Sequence, residues 1–308
     1  EAVGDLRQTV SVLTIAGMLL EQNGRPAEGL PYLRRCNELA AGMQTGMYRH
    51  RARYMLSDTL AVLGRWDEAR ECFKQTAELA RVVEPHTAGM ATAMVALSHL
   101  RQGRTETAID ILEGPDGVAS VLEGGVGISI VTGLGVLAEA RLASGDDEAA
   151  LEVVEQAESS MSKGDDGTAF YSSIFGHSAI AGVRLALNEP GDPVRWGHRR
   201  RTPLDLALAR VAKIRRTAPG AGAWLALLRG LDQLRRENRG KAKGLFETAI
   251  ERAEAAGQPY ELGRSLIGLA RLSENSARSK LIDRARQVYE QHGMVLESAG
   301  ASAELKRE

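Results

Sequence analysis

The sequence predicts an all-α protein, a solenoid of about six antiparallel helix hairpins. The 308 residues include 44% hydrophobic but only 4% aromatic residues, a composition that favours helices packed through small side chains. A glycine-containing turn recurs about every 40 residues, and a helix-periodic apolar pattern follows each copy. Because a solenoid has no single core, a chain of this length can form one without the size limit of a compact domain.

The repeated turn occurs four times in the first half of the chain. Its glycines are Gly24, Gly64, Gly103 and Gly145, which are 40, 39 and 42 residues apart. Each follows an apolar helical stretch, so we expect it to end that helix with a positive φ. Acidic residues come soon after these turns, where they favour a new helix because a helix N-terminus carries partial positive charge.

The second helix of each predicted pair has small residues spaced around one larger side chain, as in Ala69, Phe73 and Ala77. Together with the turn Gly64-Arg65-Trp66-Asp67-Glu68, this pattern resembles the tetratricopeptide repeat (TPR) superfamily. The resemblance implies a right-handed superhelix whose first helices line a concave face. The spacing near 40 exceeds the 34 residues of that family, which predicts longer helices or turns.

The repeats are also similar to the C-terminal helical regions of large bacterial signal-transduction regulators. These include maltose-activator-type LuxR regulators, STAND ATPases and kinase- or cyclase-linked TPR regions. The segment from Tyr260 to Leu272, with Leu281, Ala285 and Tyr289 after it, resembles their final hairpin. The resemblance implies a bacterial protein that binds a protein or peptide partner, or another domain of the same full-length chain.

The ends of the chain and its hydropathy bear on location. The sequence begins at Glu1 without a charged and then apolar leader, so we expect a cytoplasmic fragment of a longer protein. The longest apolar candidate, Val126 to Ala138, is interrupted by glycines and is shorter than the roughly 18 residues of a membrane span. No membrane partner is expected.

The repeat pattern is interrupted between residues 188 and 219. We therefore predict an N-terminal block over 1–187, an irregular insert with a basic cluster over 188–219, and a C-terminal block over 220–308, all within one continuous solenoid. Within the insert, Thr202-Pro203 predicts a helix start, because threonine caps helices and proline suits their first turn. A second break is predicted around Gly114-Pro115-Asp116-Gly117.

Charge is distributed unevenly although the net charge is only −1. Residues 106–166 contain 14 acidic and 2 basic residues, whereas residues 192–243 contain 14 basic and 4 acidic ones. A basic stretch can contact an acidic protein, phosphates or only solvent. We favour a docking contact with an acidic surface at Trp196, Arg199, Arg200 and Arg201 over nucleic-acid binding, because no nucleic-acid module surrounds these residues and aromatic residues are sparse.

Catalytic and metal-binding patterns are not evident. Gly240-Lys241 lacks the remaining residues of a phosphate-binding loop, and the six histidines do not form the close pairs of a zinc site. We therefore expect a non-enzyme without cofactor or metal. An enzyme whose site assembles from distant residues is the remaining alternative.

Candidate ligand-binding residues follow from the expected concave face. They are Thr14, Glu21 and Gln22 in repeat one, Arg51, Tyr54 and Asp58 in repeat two, and Arg101 and Glu139 in repeats three and four. The alternative is that these are ordinary solvated side chains. The Lys and Asn residues with which TPR domains clamp a chaperone's C-terminal carboxylate do not recur at the matching positions, so a chaperone adaptor is not expected.

Besides that enzyme alternative, two non-catalytic functions remain open at this point. The first is a protein-interaction and regulatory scaffold in a bacterial signalling or transcription-control protein, possible also as a homo-oligomer. The second is a sensor that binds a peptide or a small effector in the concave groove. An enclosed concave pocket with converging polar groups would favour the second.

Overall fold

The computed structural model describes residues 5–124, 126–162, 167–168, 171–196 and 199–305. Within these ranges the chain is almost entirely helical, with two 3₁₀ turns and one pair of short strands. The α-helices are α1 Leu6–Gln22, α2 Pro26–Ala41, α3 Gly46–Val62, α4 Trp66–Val83, α5 Pro85–Arg101, α6 Thr105–Glu113, α7 Val118–Gly124, α8 Gly127–Ser144, α9 Asp147–Ser162, α10 Ile174–Ala186, α11 Pro203–Thr217, α12 Gly222–Arg235, α13 Arg239–Ala256, α14 Pro259–Ala270, α15 Asn275–Gln291 and α16 Val295–Leu305. The all-α solenoid is confirmed.

The predicted turns end helices as expected. Gly24, Gly64, Gly103 and Gly145 have φ values of 77°, 68°, 75° and 84°. A residue with a Cβ atom adopts this left-handed conformation only with strain, so glycine is the residue that lets the chain reverse there. Each turn leads directly into the outer helix of a hairpin.

Most hairpins consist of two consecutive helices that pack against each other, and α7 is a short addition to the third. Ala69, Phe73 and Ala77 of α4 are fully or almost fully buried, so the predicted alternation of small and large residues forms the packed face. The described residues form seven such pairs and a final helix, α16, one pair more than the approximate expectation. The additional pair is α10 and α11.

The segment over 188–219 contains regular structure. Strands β1 Val194–Trp196 and β2 Arg199–Arg201 pair antiparallel. Helix α11 begins as predicted, because the Thr202 hydroxyl accepts a hydrogen bond from the Asp205 amide at 3.1 Å and the Asp205 carboxylate accepts one from the Thr202 amide. This reciprocal arrangement is a capping box.

Helix α8 lies at the centre of the fold. Its 18 residues are long and apolar enough to cross a membrane, but 67% of them are buried inside the protein, as in a core helix. A Cβ atom built at Gly135 would lie 2.6 Å from the carbonyl oxygen of Gly176, and one at Gly176 would lie 2.2 Å from that of Val131. Glycines therefore bring the backbones of α8 and α10 into contact.

The solenoid closes on itself. The turns of the first three hairpins contact the C-terminal block 192 to 196 residues later, an arrangement that we call the seam. Its contacting pairs are Gly24 with Gly220, Gly64 with Pro259, and Gly103 with Val295. Arg101, near the end of α5, adds an ion pair at 3.1 Å with Glu297 of α16. The first helices of the hairpins consequently face an enclosed interior.

Candidate ligand-binding site

A cavity of about 700 Å³ lies between the first helices of the N-terminal hairpins, and we call it the N-terminal cavity. Helices α1, α3 and α5 and the beginning of α8 form its walls, and the 3₁₀ turn Tyr171–Ser173 contributes from the interior. Its apolar lining is Met18, Met55, Met90, Val126 and Ile128. Its polar lining is Thr14, Glu21, Gln22, His50, Arg51, Tyr54, Asp58, Glu84, Thr87, Tyr171 and Ser172.

Half of the predicted binding residues meet in this cavity. They are the six that were chosen on the first two hairpins, namely Thr14, Glu21, Gln22, Arg51, Tyr54 and Asp58. Thr14 and Glu21 are seven residues apart, and Arg51, Tyr54 and Asp58 are spaced by three and four residues, which places each of these two groups on one face of a helix. Gln22 directly follows Glu21 at the end of α1. The residues expected on the concave face of the first two hairpins thus lie in two walls of the cavity, and their role in ligand binding stays a prediction.

Five polar lining residues were missed, namely His50, Glu84, Thr87, Tyr171 and Ser172. His50 lies four residues before Tyr54 and Glu84 directly precedes α5, so helical spacing and the turn position were available as signals. Tyr171 and Ser172 had no local signal, because they reach the cavity from a turn 114 residues beyond Asp58.

Two buried carboxylates dominate the chemistry of the cavity. Glu21 on α1 and Asp58 on α3 are each 2% exposed. The Thr59 hydroxyl donates to Glu21 Oε2 at 2.7 Å, and the Ser172 hydroxyl donates to Asp58 Oδ2 at 2.6 Å. Within the described part of the chain, Glu21 Oε1, Asp58 Oδ1 and the Tyr171 hydroxyl are buried without a hydrogen-bond partner. The cavity therefore has acceptor groups to offer to a ligand.

Burial also changes the protonation of these groups. Removal from water raises the pKa of Asp58 to about 7. The pKa of Glu21 is raised well above its usual range by burial and further by the negative charge of Asp58. Burial, followed by these carboxylates, raises the pKa of Tyr171, so its hydroxyl stays protonated. These carboxyl groups therefore take up protons at higher pH than exposed ones do, and a positive charge placed beside them would favour their ionised forms.

The rim of the cavity contains a separate, paired set of charges. Glu84 lies 3.1 Å from His50 Nε2 and 3.6 Å from the guanidinium of Arg51, which is 64% exposed. The Thr87 hydroxyl is 3.3 Å from the same histidine nitrogen. Burial lowers the pKa of His50. Glu84 therefore has partners of its own, unlike the free oxygens of Glu21 and Asp58.

The predicted residues Arg101 and Glu139 lie elsewhere. They line a second cavity of about 450 Å³ between the two blocks. The Arg101 guanidinium donates to both oxygens of Glu139, at 2.8 and 3.0 Å, and stacks 3.8 Å from the ring centre of Tyr260. Their polar atoms are thus largely engaged with each other, and the pair contributes to the seam.

The basic cluster lies on the outside. Arg200 and Arg201 line an open groove that also includes Asp205 and Asp232. Arg200 is exposed and donates to the Pro193 carbonyl at 3.2 Å. The side chains of Trp196 and Arg199 lie outside the described parts of the structure. The groove carries both charge signs, and docking of an acidic partner there stays a prediction.

Comparisons with known proteins agree with this architecture. The tetratricopeptide repeat family profile matches residues 48–113, which extend from α3 to α6. The structure of the Rap conjugation gene regulator of plasmid pLS20, in complex with the Phr* peptide, is similar with a TM-score of 0.68 and 11% identity over 97% of this chain and 80% of that one.

Two other solved structures are more distant. A putative kinesin light chain from Podosopora anserina has a TM-score of 0.43 and 17% identity, covering 69% of this chain and 93% of that one. The human IFIT1 dimer with PPP-AAAA has a TM-score of 0.45 and 14% identity, covering 95% of this chain and 64% of that one. No curated protein sequence matches. Residues 48–113 match the tetratricopeptide repeat family, and the chain folds as a TPR-like helical solenoid.

Proposed function

We propose that this protein is a non-catalytic receptor module that binds a peptide segment in the N-terminal cavity. The observation that carries the proposal is the cavity itself, in which the inner faces of three hairpins and a distant 3₁₀ turn converge on unpaired polar atoms. Its volume of about 700 Å³ lies within the usual range of ligand pockets. Solenoids of this kind bind ligands on their concave surfaces.

A peptide is the ligand class that the comparisons support. The Rap regulator, which shares the fold over 97% of this chain, was solved with the Phr* peptide bound. The cavity combines methionine walls with acceptors at fixed positions, and flexible thioether side chains adapt to varied peptide side chains. A small effector with similar groups is the second candidate, since the cavity is enclosed on several sides.

The proposed role is regulatory. A ligand that contacts α1, α3 and α5 together stabilises one relative arrangement of these hairpins and so shifts the population of solenoid conformations. The seam connects that arrangement to the C-terminal block. From the resemblance noted in the sequence, we propose that the module acts in the cytoplasm, within a bacterial signalling or transcription-control protein.

Selection from a random-sequence heptapeptide library tests the proposal. We expect the wild-type protein to enrich a common motif, and the Met18→Trp variant, whose indole fills part of the cavity, to bind those peptides at least tenfold more weakly. Val82→Trp is the matched control, because Val82 is 83% exposed and lies outside the cavity. Circular dichroism verifies that both variants fold. Equal binding by Met18→Trp, or the absence of any enriched motif, contradicts the proposal.

A further inference from the structure

We propose that the N-terminal cavity recognises a cationic group of its ligand, an ammonium or a guanidinium, through Glu21, Asp58 and Tyr171. The inference concerns the same cavity as the proposed function and rests on it. It adds the chemistry of the group that the cavity selects.

The first argument is the balance of charge within the cavity. The ionisable groups that face the two carboxylates are His50, Arg51 and Tyr54 from α3, Glu84 beside α5, and Tyr171 from the 3₁₀ turn. Arg51 is the one permanently charged cation among the lining residues of this cavity. It is mostly exposed and pairs with Glu84. Glu21 and Asp58 are therefore not compensated by a cation among the described residues that line the cavity.

The second argument is the set of free acceptors. Glu21 Oε1, Asp58 Oδ1 and the Tyr171 oxygen are all buried and unpaired within the described residues, and they belong to two helices and one turn that converge on the cavity. An ammonium has three N–H donors and a guanidinium has five, so either group can satisfy more than one of these oxygens. A charged donor also forms a stronger hydrogen bond with a carboxylate than a neutral donor does.

The third argument is the apolar lining. Met18, Met55 and Met90 line the same cavity as the carboxylates, and Tyr54 and Tyr171 add aromatic rings. The methylene stems of lysine and arginine side chains favour such apolar walls while their charged ends reach polar groups. Aromatic faces also attract cations. The cavity is therefore matched to an organic cation with an apolar stem.

A metal ion fits this lining poorly. Divalent cations such as Ca²⁺ need six or more oxygen ligands, and Mg²⁺ retains several waters. Among the described residues, no group of three or more His, Cys, Asp or Glu side chains is arranged to hold a metal. The remaining sources of positive charge are a lysine or arginine side chain of a peptide and its free N-terminus.

The test uses the full chain with ¹³C-labelled methionine methyl groups, observed by NMR. The probes are N-acetyl-arginine amide, N-acetyl-lysine amide, glycine amide and the neutral N-acetyl-citrulline amide, which has nearly the shape of arginine. We expect at least one cationic probe to shift the methyl signals of Met18, Met55 and Met90 in a saturable way. Met161 and Met294, which are buried elsewhere, serve as internal controls. Citrulline should bind at least tenfold more weakly than arginine.

Variants assign the effect to the proposed residues. Glu21→Gln, Asp58→Asn and Tyr171→Phe each remove one charge or one hydroxyl with little change of shape, and each should weaken binding of the cationic probe, the first two at least tenfold. Glu38→Gln is the matched control, because that carboxylate is exposed on α2 and pairs only with Arg35 among the described residues. If one variant does not fold, the other two still decide the question.

The outcomes separate the inference from the proposed function. Binding of glycine amide alone identifies the free N-terminus as the cation, and binding of the acetylated probes identifies a side chain; both support the inference. Three outcomes would overturn the inference. They are equal binding of the citrulline and arginine probes, unchanged affinity of the cationic probe in the carboxylate variants, and no methyl shift with any cationic probe. If the enriched peptides lack basic groups and bind Met18→Trp more weakly than the wild type, the proposed function holds and the inference fails. If the cationic probes bind but no peptide does, the inference holds and the proposed function fails.

Discussion

Buried ionisable residues occur in this protein in two different settings. Arg101 and Glu139 neutralise each other at hydrogen-bonding distance in the interior. Glu21 and Asp58 are also buried but have hydroxyl partners and no basic one among the described residues. A buried ion pair is a structural element, whereas uncompensated carboxylates reduce stability and are retained where they serve binding.

The pH dependence of stability should report on Asp58. Its pKa is about 7 in the folded protein and near 4 when unfolded, so between these values the folded state binds more protons. The contribution of Asp58 to stability should therefore fall as the pH rises from about 4 to 7 and then level off. Asp58→Asn lacks this loss, so it should match the wild type near pH 4 and exceed it above pH 7, by up to about 4 kcal/mol.

Urea unfolding at pH 4, 5, 6, 7 and 8 measures this difference. His99 has the opposite effect, because burial lowers its pKa to about 4 in the folded protein, whereas the unfolded value is about 6.5. Its contribution to the stability of the protein therefore falls as the pH drops below about 6.5. Its contribution is common to both proteins and cancels in the comparison. A gap between variant and wild type that does not change with pH would contradict the assignment.

The sequence predicted part of the site at this scale. Thr14 and Glu21 share one helical face, as do Arg51, Tyr54 and Asp58, so the helical period was sufficient to group them. The same reasoning placed Arg101 and Glu139 on the inner face but could not show that they bind each other. Such a pairing depends on the distance between two hairpins, which a single sequence does not contain.

At the scale of the elements, small residues decide how closely helices approach. Contacts between backbones at Gly135 and Gly176 allow α10 to lie directly on α8. Helix boundaries were the best predicted feature, because a positive φ at Gly64 and a capping threonine at Thr202 are local requirements. Strands β1 and β2 were not predicted, since three residues are too few to show an alternating pattern.

Gly176→Ala tests this close approach. The added methyl group would overlap the Val131 carbonyl at 2.2 Å, and because both sides of the contact are backbone, the helices must move apart. We expect a loss of unfolding free energy of about 1–3 kcal/mol, the usual cost of overpacking. Thermal and urea denaturation measure it.

The matched control is Gly244→Ala in α13, where nothing lies within 4 Å of the new Cβ atom. That change should stabilise the protein by about 0.5–1 kcal/mol, because alanine favours a helix over glycine. If Gly176→Ala is also more stable than the wild type, helix propensity rather than the contact between α8 and α10 governs Gly176.

At the scale of the whole molecule, the seam distinguishes this protein from an open array. Stability in an open solenoid is approximately a sum over neighbouring repeats. Here Arg101 and Glu297, which are 196 residues apart, form part of one buried network. We therefore expect the two blocks to unfold together, so that Trp66 and Trp224 report the same transition in urea.

Arg101→Met should separate the two transitions. The variant leaves Glu139 and Glu297 buried without their guanidinium, at a cost of about 3–5 kcal/mol. Fluorescence of variants that retain only Trp66 or only Trp224 measures each block. Arg35→Met, which removes an exposed pair with Glu38, should change stability by no more than about 1 kcal/mol. Transitions that still coincide in Arg101→Met would show that this network does not couple the blocks.

The seam also limits how such a chain can change in length. Repeat arrays are extended by adding hairpins, and each hairpin here occupies close to 40 residues. A hairpin added between α4 and α11 would move Gly24 and Gly64 away from Gly220 and Pro259 by a full repeat, so their contacts could not form in register. Additions before α1 or after α16 leave these pairs intact. The number of hairpins within the closed turn is thus fixed by geometry, and lengthening can occur without loss of closure only at the two ends.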